Sequence, residues 1–135
     1  MKNKLLWLTL AVIAFDFVIT LIGQPSSYWH DPHTAREATP LFAWFMVRGI
    51  SWYLAFILFY MGSAAVLVRA LPRQMAVITG LVFLLSHYFA ACTWLALRFD
   101  FGMIGPIVYA AVLSTALVLI LKSGALSGCL TGEDA

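Results

Sequence analysis

Polar positions in this chain are sparse, and they cut it into four apolar runs at about residues 4–23, 41–71, 74–97 and 104–121. A helix needs about 20 apolar residues to cross a bilayer, and the fourth run only just reaches that length. None of the runs alternates apolar and polar positions, as a barrel strand would. Backbone groups in lipid must be satisfied internally, so the runs predict helices. The expected fold is all-α, with four antiparallel transmembrane helices forming a single domain over 1–135.

The connections fit that plan. Pro72 predicts a tight turn between the second and third runs. Asp100-Phe101-Gly102 and Gly105-Pro106 predict another short turn before the fourth. Residues 24–40 form the one long connection, and the small, polar tail 123–135 is expected to be mobile.

Composition changes the solvent. The chain is 63% hydrophobic and 10% charged, more apolar surface than a soluble domain of this size can bury. The lipid bilayer is therefore its first partner. The net charge of +2 is too small to point to nucleic acid, and the charges sit at the ends of the runs. Lys2, Lys4, Arg69, Arg73 and Lys122 fall on one side. On the other, Arg36 is offset by Asp31 and Glu37, and Arg98 by Asp100. The positive-inside rule then predicts a plasma (inner) membrane protein with both termini cytoplasmic. Trp29, Trp44 and Trp94 would sit near the outer interface and Trp7 near the inner one.

The basic start and apolar run resemble a signal peptide. However, Gln24-Pro25-Ser26-Ser27 follows in place of a small-x-small cleavage site, so an uncleaved first helix is expected. Cys92 and Cys129 fall at different depths, which argues against a disulfide between them.

Asp16 interrupts the first run. A charge at bilayer depth is costly and persists where it is paired or faces a protein interior, so it is the leading pointer to a site. Counting helical rise puts Asp16 about 17 Å above the inner edge and His87 about 18 Å, at a shared level. Thr20 lies one turn from Asp16 on the same face. Arg48 is a third ionisable group, at a depth that depends on tilt or on a bend near Gly49 or Gly62. Asp16, Thr20, Arg48 and His87 are therefore expected to form a buried polar cluster with Glu37 at its outer mouth; whether Arg48 reaches down to pair with Asp16 depends on that bend. The bland alternative is interhelical glue that fixes helix register.

The outer connection also carries His30, His33 and Glu37, donors that suit zinc or another divalent metal. Pro32 disfavours a regular helix through them, and the spacing matches no strong metal signature. In the bland reading Glu37 lies in the first turn of the second helix, near Pro40. Ser86 precedes His87 but points about 100° away from it, and no nucleophile-elbow, CxxC, Walker or dinucleotide motif occurs.

Asp16-x-x-x-Thr20, followed by Glu37-x-x-Pro40, resembles a pattern of a bacterial and archaeal family of small four-helix membrane proteins of unknown function. That family tends to have Asn where this chain has Thr39. The resemblance covers roughly residues 10–48 and implies the four-helix fold and a paired acidic site, Asp16 with Glu37.

The leading expectation is a non-enzymatic accessory subunit or binding module. Aromatic faces at Phe56, Phe59, Tyr60, Phe83, Tyr88 and Phe89 would meet lipid, a membrane partner or a second copy. One rival is an intramembrane metal-dependent hydrolase acting on lipid or peptide, with Glu37 or Asp16 as base and His30, His33 and His87 as ligands. The other is a small proton-coupled transporter, which needs Asp16 unlocked from Arg48.

Overall fold

The computed structural model describes residues 2–99 and 102–131. Its helices are α1 (Lys2–Ile22), α2 (Pro40–Met46), α3 (Ile50–Ala70), α4 (Arg73–Leu97) and α5 (Ile104–Thr131). Short 3-10 turns at Ser26–Trp29 and Pro32–Thr34 lie between α1 and α2. No strand occurs among the described residues. Three helices, α1, α3 and α4, are long and apolar enough to cross a membrane. In α5 the shorter stretch Ile104–Ile120 is apolar.

Of α1, α3 and α4 the most enclosed is α1: 44% of its apolar stretch is buried, against 17% for α3 and 28% for α4. It runs parallel to α4 in a constant register. Thr9 Oγ1 donates to the Gly80 carbonyl at 3.2 Å, Asp16 meets His87 at 2.7 Å, and Gly23 lies against Trp94. Each step advances both helices by the same two turns, the spacing at which a seam keeps facing its partner. Small residues let the backbones approach: Leu5 and Thr9 close over Gly80, which is fully buried with Ala76 and Ala91. At Gly23 an added Cβ would stand 2.6 Å from Trp94 Cε3 and 3.0 Å from the Ile19 carbonyl. Gly23→Ala must push the indole aside, and overpacking of this kind costs about 1–3 kcal/mol. Thermal unfolding in detergent should show that loss, while Gly80→Ala, whose Cβ would find ordinary contacts at 3.4–3.6 Å, should show much less.

The other helices run the opposite way along this pair. Leu6 packs with Val68 of α3 near one end, and Phe17 packs with Tyr53 and Tyr60 toward the other. On the far side, Phe15 of α1 and Tyr88 of α4 both stack on Tyr109 of α5. An apolar groove of about 640 Å³ lies between α1 and α5, with Val12, Phe15, Val108 and Tyr109 among its walls.

Two sequence expectations change here. The run 41–71 is not one helix. It breaks at Gly49, whose backbone (φ 103°, ψ 164°) falls where essentially only glycine sits, while α3 continues unbroken through Gly62. The break lets α2 fold over the end of the bundle where α1 finishes. There Phe42, Phe45 and Met46 pack on the cluster of Phe17, Tyr28, Tyr53 and Phe56. The fourth run also continues as helix past its expected end at 121, since α5 runs to Thr131; residues 132–135 lie outside the described residues. The Asp100-Phe101 part of the predicted turn lies outside them too.

Candidate functional site

Asp16 lies on α1 between the two aromatic residues that face opposite neighbours, Phe15 toward α5 and Phe17 toward α3. Its own side chain points into α4. Asp16 Oδ2 and His87 Nδ1 are 2.7 Å apart, with 3% and 4% of the two residues exposed. Across the ring, His87 Nε2 is 3.0 Å from the Tyr60 hydroxyl of α3. A carboxylate can only accept, so the Nδ1–H donates to Asp16 and leaves Nε2 to accept from the Tyr60 O–H. The result is a hydrogen-bonded chain, Asp16–His87–Tyr60, that ties three helices together at one level. Phe17 closes one side, its ring 5.5 Å from the imidazole and 5.7 Å from the Tyr60 ring.

One oxygen is left over. Asp16 Oδ1 is buried without a protein partner, and so are the hydroxyls of Tyr53 and Tyr109. Three phenols stand around the acid: Tyr60 meets His87, Tyr53 packs edge-on against Phe17, and Tyr109 packs on Phe15. Tyr53 also shares its buried cluster with Tyr28, against which Ala35 and Phe42 pack. Tyr28, buried beneath α2, places its hydroxyl 3.4 Å from the Met46 carbonyl, and burial pushes its phenol above the ordinary range.

Arg48 is not in this cluster. It lies just before the Gly49 break, exposed, with its guanidinium carbon 3.2 Å from the centre of the Trp44 ring. Its Nη1 donates to the Trp44 carbonyl at 3.1 Å. Of the two depths open to Arg48 in the sequence, the structure takes the outlying one, and Asp16 and Arg48 do not pair. The helix that would have turned the arginine inward ends before it, and the indole face offers a cation–π partner at the surface. Arg48→Gln should accordingly leave unfolding within about 0.5 kcal/mol of wild type, as surface changes usually do. A larger loss, measured in detergent, would mean that the arginine has a buried partner.

Thr20 is buried, but its recorded partner is made through its backbone: the Thr20 carbonyl accepts from Gln24 Nε2 at 3.0 Å. Gln24 is a residue that sequence reasoning passed over. Its Nε2 also donates to the Arg36 carbonyl at 3.1 Å, and its Oε1 accepts from the Arg36 N–H at 2.7 Å. One amide thus clamps the outer connection to the end of α1. Arg98 adds a second tie, its Nε donating to the Gly23 carbonyl at 2.6 Å and satisfying an acceptor at a helix C-terminus. Tyr60 was also read differently, as part of an outward aromatic face. Phe59 and Phe89 are exposed as that face requires, whereas Phe56 is buried and Tyr60 turns inward to His87.

The connection over 24–40 does not gather its histidines. His30 and His33 are exposed, and no three His, Cys, Asp or Glu side chains converge to hold a metal ion among the described residues. Asp31 Oδ1 accepts from the His33 N–H at 3.0 Å instead. Glu37 precedes α2 rather than joining its first turn: Oε1 accepts at 2.8 Å from the N–H of Thr39, the residue that caps the helix, and Pro40 opens it. Cys92 is a half-buried thiol. No family model matches the chain, and no curated protein or solved structure is significantly similar to it.

Proposed function

We propose that this chain is a non-enzymatic integral membrane module, an accessory subunit or small binding protein organised around Asp16, His87 and Tyr60. In this reading α5 supplies a fourth span, both termini face the cytoplasm, and the connection carrying Glu37 faces outward at the plasma (inner) membrane. The single observation that carries it is the enclosed hydrogen-bonded chain Asp16–His87–Tyr60. Every reactive atom of the histidine is committed to a neighbouring helix, and Phe17 closes one side of the ring.

The purified chain in lipid nanodiscs is expected to leave its lipids and added membrane peptides unchanged, while Asp16→Asn lowers its unfolding temperature. Turnover of lipid or peptide that disappears in Asp16→Asn and persists in Arg48→Gln would contradict the reading.

One observation also favours the proton-coupled transporter as a second reading: Arg48 is stacked on Trp44, so no arginine locks Asp16. Ligand binding that depends on pH in wild type, and loses that dependence in Asp16→Asn, would support it.

Topology has its own test. In a chain with Cys92 and Cys129 changed to Ser, Thr34→Cys should react with an impermeant maleimide in intact cells. Gln74→Cys should react only after permeabilisation. The reverse pattern would invert the orientation.

A further inference from the structure

The buried carboxylate has one oxygen committed and one uncommitted. Oδ2 is held by His87, but Oδ1 has no protein partner, although less than a twentieth of the residue is exposed. An unsatisfied buried carboxylate oxygen is costly, and a polar site of this kind is where buried water is found, bridging two or more polar groups. The Tyr53 hydroxyl supplies a second group in the same condition: Tyr53 is fully buried and its oxygen has no protein partner.

The two belong to one neighbourhood. Phe17, next in sequence to Asp16, packs edge-on against Tyr53 with ring centres 5.9 Å apart. Counted along α3 from Ile50, Tyr53 is in the first turn and Tyr60 two turns deeper, so Tyr53 stands on the outer side of the Asp16–His87–Tyr60 level. Beyond Tyr53 comes the connection that carries Glu37: Ala35 and Phe42, on either side of that acid in sequence, pack against the buried cluster that holds Tyr53 and Tyr28. From the outside inward the order is thus Glu37, Tyr53 and then the shared level of Asp16, His87 and Tyr60.

We propose that Asp16 Oδ1 and the Tyr53 hydroxyl share a bound water, and that Glu37, Tyr53 and this water deliver protons from the outer side to the Asp16–His87 pair. The balance is simple. One proton enters from outer water, passes Glu37 and the Tyr53 hydroxyl, and is taken up at Asp16 Oδ1 or, through the pair, at His87. The pair then carries one positive charge more than before. If His87 Nε2 gains the proton it must donate to Tyr60 rather than accept, so the third helix senses the event. The titratable groups around the pair are Tyr60 and Tyr53 from α3 and Tyr109 from α5, with Tyr28 and the connection carrying Glu37 beyond Tyr53. Arg48 faces away. Tyr109 also has an unpartnered hydroxyl, but it lies on the α5 side with Phe15 and Tyr88, away from Glu37. The proposal deepens the module reading by giving its polar cluster a proton as ligand, and it rests on the outer placement of residues 24–40.

The test uses the full chain in proteoliposomes of uniform orientation, established by Thr34→Cys labelling. A caged acid is released on one side, and the Asp16 carboxyl band, identified by its loss in Asp16→Asn, is followed by time-resolved infrared spectroscopy. A fast response to acid on the Glu37 side is expected, lost in Tyr53→Phe and slowed in Glu37→Gln, but kept in Tyr109→Phe. Melting curves establish that each variant is folded, and the conservative Tyr53→Phe keeps the ring that packs on Phe17. An unchanged fast phase in Tyr53→Phe, or one lost only in Tyr109→Phe, would overturn the path. Labelling that places Thr34 inside, with the fast phase still dependent on Tyr53, would overturn the orientation and leave the path standing.

Discussion

His87→Ala is expected to destabilise the protein by about 3–5 kcal/mol, because it strands the Asp16 carboxylate in the bundle without its partner. The size of that loss separates two effects. A hydrogen bond between membrane helices contributes only about 0.6 kcal/mol on average by double-mutant cycles, so Tyr60→Phe, which removes the neutral end of the chain, should cost roughly that much. His87→Ala should cost several times more, since the penalty is an uncompensated buried charge and not one lost bond. Asp16→Asn removes the charge and should fall between the two. Changing both partners to leucine should recover much of the loss, because replacing a buried pair with well-packed apolar groups is often neutral. Unfolding in a denaturing detergent, read by far-UV circular dichroism, measures all four. A His87→Ala protein as stable as Tyr60→Phe would mean that the pair carries no buried charge.

That pair was within reach of sequence reasoning because helical rise converts residue counts into depth. Counting placed Asp16 and His87 at one level, and their side chains meet at 2.7 Å. The same count left Arg48 at two depths, and the reason is local. A continuous helix over 41–71 would carry the arginine into the bundle, whereas Gly49 at φ 103° ends α2 just after it. Glycine tolerates both a helix interior and a break, so the pattern alone does not choose between Gly49 and Gly62.

Tyr60 was hidden for a different reason. In a run that is apolar all round, no polar face announces which aromatic turns inward, and the partner that decides it lies 27 positions away. Gln24 and Arg98 were hidden because their acceptors are backbone carbonyls, which every sequence supplies. The parallel seam of α1 and α4 shows how spacing becomes legible once one contact is known. Thr9, Asp16 and Gly23 repeat at the same interval as Gly80, His87 and Trp94.

The break at Gly49 carries the second large effect. Gly49→Val is expected to destabilise by about 1–3 kcal/mol through backbone strain, since branched residues avoid this conformation. The first added carbon is not crowded, because a Cβ at Gly49 would meet no atom within 4 Å. Gly62 offers the matched control. It too faces open space, but within α3, where Gly→Ala should be neutral or favourable by about 0.5–1 kcal/mol. Straightening the break would also pull Phe42, Phe45 and Met46 from the outer end of the bundle and uncover Tyr53. Amide exchange at Tyr53 and Phe56 should therefore rise in Gly49→Val and stay unchanged in Gly62→Ala. Equal behaviour of the two variants would mean that α2 does not depend on the glycine for its position.

The chain Asp16–His87–Tyr60 can be read at its middle residue. Nitrogen NMR of the chain in lipid, labelled at histidine, distinguishes the His87 ring nitrogens. The expected spectrum has a proton on Nδ1 in a strong hydrogen bond and an accepting Nε2. Asp16→Asn should move the first resonance and Tyr60→Phe the second. A His87 ring with Nδ1 unprotonated, and resonances indifferent to both substitutions, would contradict the account.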